Sequence, residues 1–164
     1  MPRVTFVATT RVPASAEAVF DWHEAPGAFE RLTPPWERVR VLRHEGGIRS
    51  GARVSLLVGP GPLSLRWELE HRDYRHGRSF TDVQLSGPFR SWTHVHRMIP
   101  EGSDECVLED AIEYELPLGV IGRLFGRPLV ERKLKRLFAF RHDVTRRAFE
   151  APPAGSSDTG ASPG

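Results

Sequence analysis

With 164 residues, 23 basic and 21 acidic, and a formal net charge of +2, the chain has room for one ordinary domain and no concentrated cationic surface, so nucleic acid is not an expected partner. A lone cysteine, Cys106, excludes an intramolecular disulfide, the start MPRVTFVATT lacks the basic-then-apolar pattern of a signal peptide, and no apolar run approaches the roughly 18 to 20 residues that span a bilayer. A soluble, cytoplasmic protein is expected.

Residues 4–10, VTFVATT, are rich in β-branched side chains and bounded by prolines, which predicts a first strand. Ser15 is placed to cap a short helix over 16–23, with Ala18, Val19, Phe20 and Trp22 on its apolar side, and Pro26 stops it. A further turn or two over 28–32 ends at Thr33-Pro34-Pro35. From Glu37 the period becomes two. Val39 and Val41, then Val54, Leu56 and Val58, then Leu65, Trp67 and Leu69 alternate with polar residues, and the last of these strands carries His71 on its apolar side. Three more strands follow over 79–86, 89–99 and 106–116, separated by Gly87-Pro88 and by the polar loop 101–105. Beyond Pro117-Leu118-Gly119 the period lengthens, and Pro128 is suited to open a helix over 129–149, about 30 Å long, whose stripe holds Val130, Leu134, Leu137, Phe138 and Arg141. Residues 151–164 are Pro, Ala, Gly, Ser and Thr in the main and read as a disordered tail.

Consecutive strands with short connections imply antiparallel neighbours, and one long amphipathic helix at the end can cover a concave face of such a sheet. The expected fold is therefore α+β: a curved antiparallel sheet of about seven strands, two short helices after the first strand, and a long C-terminal helix, all within residues 1–150. Side-chain alternation sets Trp92, His94, His96 and Met98 on one face of the sixth strand, and Arg97 on the other marks the first set as inward. On the seventh strand Leu108, Asp110, Ile112, Tyr114 and Leu116 share the apolar face. The interior thus gathers His94, His96, Asp110 and Tyr114, with His71 nearby, groups that are costly to bury unpaired. Whether Asp82 or Gln84 joins them stays open, because a slip of one residue in the Gly87-Pro88 hairpin reverses the face.

Three segments carry a resemblance: FDWHEAPGAFERLTPPWE at 20–37, GPFRSWTHVH at 87–96 and DAIEYELPLG at 110–119. Together they resemble the START/Bet v 1-like superfamily, in particular the branch grouped with polyketide cyclases and coenzyme Q-binding proteins. The likeness extends over 4–149. It is also similar to a domain that some bacterial proteins carry ahead of an epimerase-like domain, which leaves an epimerase-like partner protein open here. The resemblance implies the helix-grip fold and an internal cavity for a hydrophobic ligand such as a quinone, polyketide, fatty acid or sterol-like molecule. It implies no cofactor, and it leaves the reaction, if any, undefined.

The cavity is expected to be lined by Trp67, Leu69, His71, Trp92, His94, His96, Met98, Asp110, Ile112, Tyr114, Leu134 and Phe138. Three roles are open for its polar members: a structural network, orientation of a ligand's polar end, or acid/base catalysis by His94 or His96 with Asp110 and Tyr114, as in a cyclase or dehydratase. His-x-His on a strand aims two imidazoles one way, and Asp110 can supply a third metal ligand, but no metal is expected from so short a signal. Cys106 has no evident base beside it and is not read as a nucleophile. The apolar segment 116–125 is either a mobile portal, with transient membrane contact, or the helix start packing on the sheet. A monomer or weak homodimer is expected.

Overall fold

The computed structural model describes residues 3–119 and 122–150, apart from the side chains of Arg123 and Phe125. The segment expected to be a tail, and Val120 and Ile121 of the proposed portal, lie outside the described residues. Strand β1 (Val4–Val12) leads to helices α1 (Ala16–Glu24) and α2 (Ala28–Arg31). There follow β2 (Val39–Glu45), β3 (Arg53–Val58), β4 (Leu65–Arg75), β5 (Ser79–Ser86), β6 (Ser91–Pro100), β7 (Cys106–Glu115) and the long helix α3 (Arg127–Phe149). Ser15 caps α1 as expected, its hydroxyl accepting from the Ala18 amide at 3.2 Å. A π-helical turn, Gly122–Gly126, precedes α3.

The seven strands form one sheet in the order β1-β7-β6-β5-β4-β3-β2, antiparallel throughout. The two short helices therefore carry the chain from one edge of the sheet to the other, and every later strand pairs with its predecessor. With α3 laid on the sheet, this is the helix-grip fold. Strand β6 starts at Ser91 rather than Phe89 because Gln84 clamps the turn: its Nε2 donates to the Phe89 carbonyl at 2.8 Å and its Oε1 accepts from the Phe89 amide at 3.4 Å. Gly87 in that turn lies so close to Trp67 that a Cβ would overlap the indole. The β4–β5 ladder shifts register at Glu68/Leu69 and Arg72/Arg75, and Asp73 in the second irregularity has φ 51°, which bends the strand.

Two apolar clusters result. One packs α1 on the far end of the sheet through Val19, Phe20, Phe80, Met98 and Leu108. The other packs α3 on the near end through Val4, Trp92, Ile112, Tyr114, Leu134 and Phe138. Along β6 the sequence of buried residues is Trp92, His94, His96, Met98, and along β7 it is Cys106, Leu108, Asp110, Ile112, Tyr114. The two clusters thus flank a band of buried polar residues.

Candidate functional site

Strand register brings the polar band together. His71 pairs across the ladder with Asp82, Asp82 with His94, and His96 with Asp110, so four strands contribute to one face. The register also settles the facing of β5: Asp82 points inward, whereas Gln84 is spent on the turn. His94 Nε2 donates to Asp110 Oδ1 at 2.7 Å, and His142 Nε2, from α3, donates to Asp110 Oδ2 at 2.6 Å. His96 Nε2 donates to Asp82 Oδ2 at 2.9 Å, while its Nδ1 lies 2.9 Å from Asp110 Oδ1. His71 Nδ1 is 2.5 Å from Asp82 Oδ1, yet the pair is misaligned, and neither His71 nitrogen nor Asp82 Oδ1 has a hydrogen bond among the described residues.

Two cavities of about 410 and 350 Å³ meet on Phe29, Leu69, Asp82 and Arg141. The first is the more polar and is walled by His23, His71, Phe80 and His96 with Ile48 and Val54. The second is walled by Trp67, Phe89, Trp92, Leu134, Leu137 and Phe138, with His94 on its floor. Edge-on contacts hold these rings, Trp67 to Trp92 at 5.1 Å and His94 to Phe138 at 5.3 Å between centroids. Arg141 stands at the junction. Its Nε donates to the Leu32 carbonyl at 3.1 Å, and no carboxylate forms an ion pair with it among the described residues. A two-lobed space with an aromatic end and a charged end suits an amphipathic molecule of drug-like size.

Burial and charge set the protonation of the band. Burial alone would depress His96, but Asp82 and Asp110 beside it raise it to about 9, which makes it an imidazolium at neutral pH. Burial and the His96 charge lower His94 to about 4, and burial lowers His23, which donates to the Val19 carbonyl, also to about 4. Burial favours the neutral carboxyls, but the imidazoles prevail: His96 and His71 hold Asp82, and His142, His94 and His96 hold Asp110, below the ordinary carboxylate range. The signs give a two-sided pH profile. His94 and His23 titrate at 6.5 when unfolded, so stability falls as pH drops from 6.5 toward 4, and the two aspartates add to the loss below 3.8. His96 contributes fully below 6.5 and loses its contribution as pH rises through about 9. Thermal melts with a chelator present should therefore peak near pH 6.5, and His96→Gln should flatten the alkaline limb; an alkaline limb that is unchanged in that variant would contradict the assignment.

The geometry has counterparts among known proteins. The family described as "Polyketide cyclase / dehydrase and lipid transport" matches residues 12–138, well over half of the chain. The chain belongs to this family. No functionally curated protein matches it in sequence. Among solved structures it is similar to the Zhui aromatase/cyclase from Streptomyces sp. R1128, with TM-score 0.69 and 17% identity over 90% of this chain and 93% of that one. Norcoclaurine synthase from Thalictrum flavum gives TM-score 0.67 and 16% identity over 90% and 86%. A START superfamily protein from Mycobacterium smegmatis gives 0.63 and 18% over 88% and 96%. At these identities the likeness carries the fold.

Within this polyketide cyclase and lipid-transport scaffold, the expected site residues divide. Trp67, Leu69, Trp92, His94, Leu134 and Phe138 wall the apolar lobe, and His71 and His96 wall the polar one. Four expected residues lie elsewhere. Asp110 sits behind His94 and His96 and does not line either cavity. Met98 is 1% exposed, in the cluster under α1, and Ile112 and Tyr114 are fully buried under α3. For Met98 the cover is α1, and for the three residues of β7 the reason is topological. Strand β7 lies beside β1, where α3 rests, so the helix seals that edge and the cavities open over β2 to β6. The Tyr114 hydroxyl has no hydrogen-bond partner among the described residues, and burial raises its pKa above the ordinary 10. Asp110 also is not the carboxylate that converges with the inner nitrogens of His94 and His96; that residue is Asp82. Cys106 is fully buried, and its thiol is pushed up to about 11 by burial and by Glu105 and Glu101. His142 and Phe29 are additions. His142 continues the α3 stripe Leu134, Phe138 at one-turn spacing, a signal present in the sequence.

Proposed function

We propose that this chain binds and carries a hydrophobic small molecule, its apolar body among Trp67, Trp92 and Phe138 and its polar end at His71, Asp82, His96 and Arg141. The observation that carries the reading is the junction: both lobes share Phe29, Leu69, Asp82 and Arg141, so one molecule can occupy apolar and polar environments at once. Leu118, Leu124 and Leu129 are exposed at the start of the helix, and Leu129 also lines the apolar lobe, which supports uptake from an apolar surface such as a membrane.

Native mass spectrometry of the freshly purified protein, followed by titration with an apolar fluorescent probe, tests this. Leu69→Trp narrows the junction and is expected to weaken probe binding about tenfold or more, roughly 1.4 kcal/mol, while Arg97→Ala on the exposed face leaves it unchanged. Equal binding by wild type and Leu69→Trp would remove the cavity from the account. A second reading, proton transfer on the bound molecule, is favoured by His94: its Nε2 is fixed on Asp110 and the ring faces the apolar lobe. A ligand recovered chemically changed, and unchanged from His94→Gln, would select it.

A further inference from the structure

The inner atoms of the polar band face one another in a way that the hydrogen bond from His96 Nε2 to Asp82 Oδ2 explains only in part. Asp110 engages His94 through Nε2 and approaches His96 through Nδ1, so the opposite nitrogens, His94 Nδ1 and His96 Nε2, are turned toward Asp82. With its proton on Nε2, His94 presents the lone pair of Nδ1 to Asp82 Oδ2 at 3.7 Å, two electron-rich atoms with no proton between them. His96 Nε2 is 2.9 Å from the same oxygen. On the other side of the carboxylate, Asp82 Oδ1 meets His71 Nδ1 at 2.5 Å without hydrogen-bond alignment, and His71 Nε2 has no partner among the described residues although His71 is only 6% exposed. Buried polar atoms left so poorly matched beside a cavity have room for a further partner.

We infer that Asp82, His94 and His96 hold a divalent first-row cation of the zinc or ferrous class in the wall of the cavity. Ligand atoms at about 2.0 to 2.2 Å from one such ion lie roughly 3.0 to 3.5 Å from each other, a range that the 2.9 and 3.7 Å separations bracket. Two imidazoles and one carboxylate are a donor set that suits zinc or iron and leaves further positions open. Here those positions face ligand space, since Asp82 lines both lobes, His94 one and His96 the other. The surroundings match a metal's outer shell: Asp110 orients both imidazoles, His142 holds Asp110 at 2.6 Å, and His71 abuts the free oxygen of Asp82. The cation takes the place of the proton that His96 Nε2 otherwise donates to Asp82, and its two positive charges then balance the two buried carboxylates. The other His/Asp/Glu group, Asp21, Glu24 and His76, lies at the surface, with Glu24 accepting from the Tyr74 hydroxyl at 3.0 Å and His76 paired to Asp21 at 2.9 Å. It serves as the control.

The inference is independent of the ligand reading, and its test uses cobalt(II) alone as the probe. Full-length protein stripped with chelator and dialysed should take up one equivalent of cobalt, with visible d–d absorption and paramagnetically shifted ring protons from two histidines. Asp110→Asn should weaken uptake about 10- to 100-fold, Asp82→Asn should abolish the absorption bands, and His76→Ala should change nothing. Circular dichroism establishes that each variant is folded, and the shifted histidine signals in the wild type decide the matter should Asp82→Asn not fold. A folded wild type that takes up no cobalt or shows no shifted histidines, bands that survive in Asp82→Asn, or bands that vanish in His76→Ala would each overturn the site.

Discussion

Asp110→Ala is expected to lower stability by about 3 to 5 kcal/mol, the usual cost of removing one partner from a buried charged network. The carboxylate is 4% exposed and its two oxygens meet three imidazoles, His94 at 2.7 Å, His142 at 2.6 Å and His96 at 2.9 Å. Truncation leaves three ring N–H groups facing a cavity that no other acceptor fills, and it removes one of the two carboxylates that hold His96 charged. The neighbouring Glu109 provides the contrast. It points outward and pairs with Arg97 at 2.6 Å in partly exposed surroundings, so Glu109→Ala should cost no more than about 1 kcal/mol. Asp110→Asn should fall between the two, because the amide oxygen still accepts one bond while the amide nitrogen meets an N–H donor. Chemical denaturation of the three variants at pH 6.5 measures the series. Equal stability of Asp110→Ala and Glu109→Ala would mean that the band contributes nothing to the fold.

The faces of the strands were legible because alternation is fixed by the pleat, and an arginine such as Arg97 marks which side is wet. Trp92, His94, His96 and Met98 are all buried, and Ser91, Thr93, Val95 and Arg97 are all less so. Alternation cannot say where along a buried face the interior is filled and where it is hollow. That depends on which strands the helix touches, and the return of β7 to β1 decides it by long-range pairing that no local pattern records. Ile112 and Tyr114 are consequently core rather than wall, and Met98 is core because α1 covers its end of β6. Asp82 posed a different difficulty: its facing required the β5–β6 register, which Gln84 sets by clamping the turn through its side chain. The partner of Asp110 on the helix was the easiest omission to avoid, since His142 follows Phe138 by four residues.

Trp92→Ala is expected to cost about 3 to 5 kcal/mol, as for other large aromatic truncations in cores. The indole is 7% exposed, contacts Trp67, Phe89 and Tyr114 at centroid distances of 5.1, 4.7 and 6.1 Å, and joins the cluster that seats α3. Changes at Thr93 or Arg97, on the other face of the same strand, should stay within about 0.5 kcal/mol. Position alone does not separate a wall residue from a core residue, so the comparison that matters is with Phe20→Ala. Phe20 is fully buried in the cluster under α1, against Tyr74 and Phe80, and lines neither cavity. Both variants lose a ring and both should melt earlier. The space left at Trp92 opens into the existing 350 Å³ lobe, whereas the space left at Phe20 is sealed, so only Trp92→Ala should also change the affinity for an apolar probe. Probe binding that falls equally in both variants, or in neither, would mean that the Trp67, Trp92 and Phe138 wall does not hold the apolar body of the ligand.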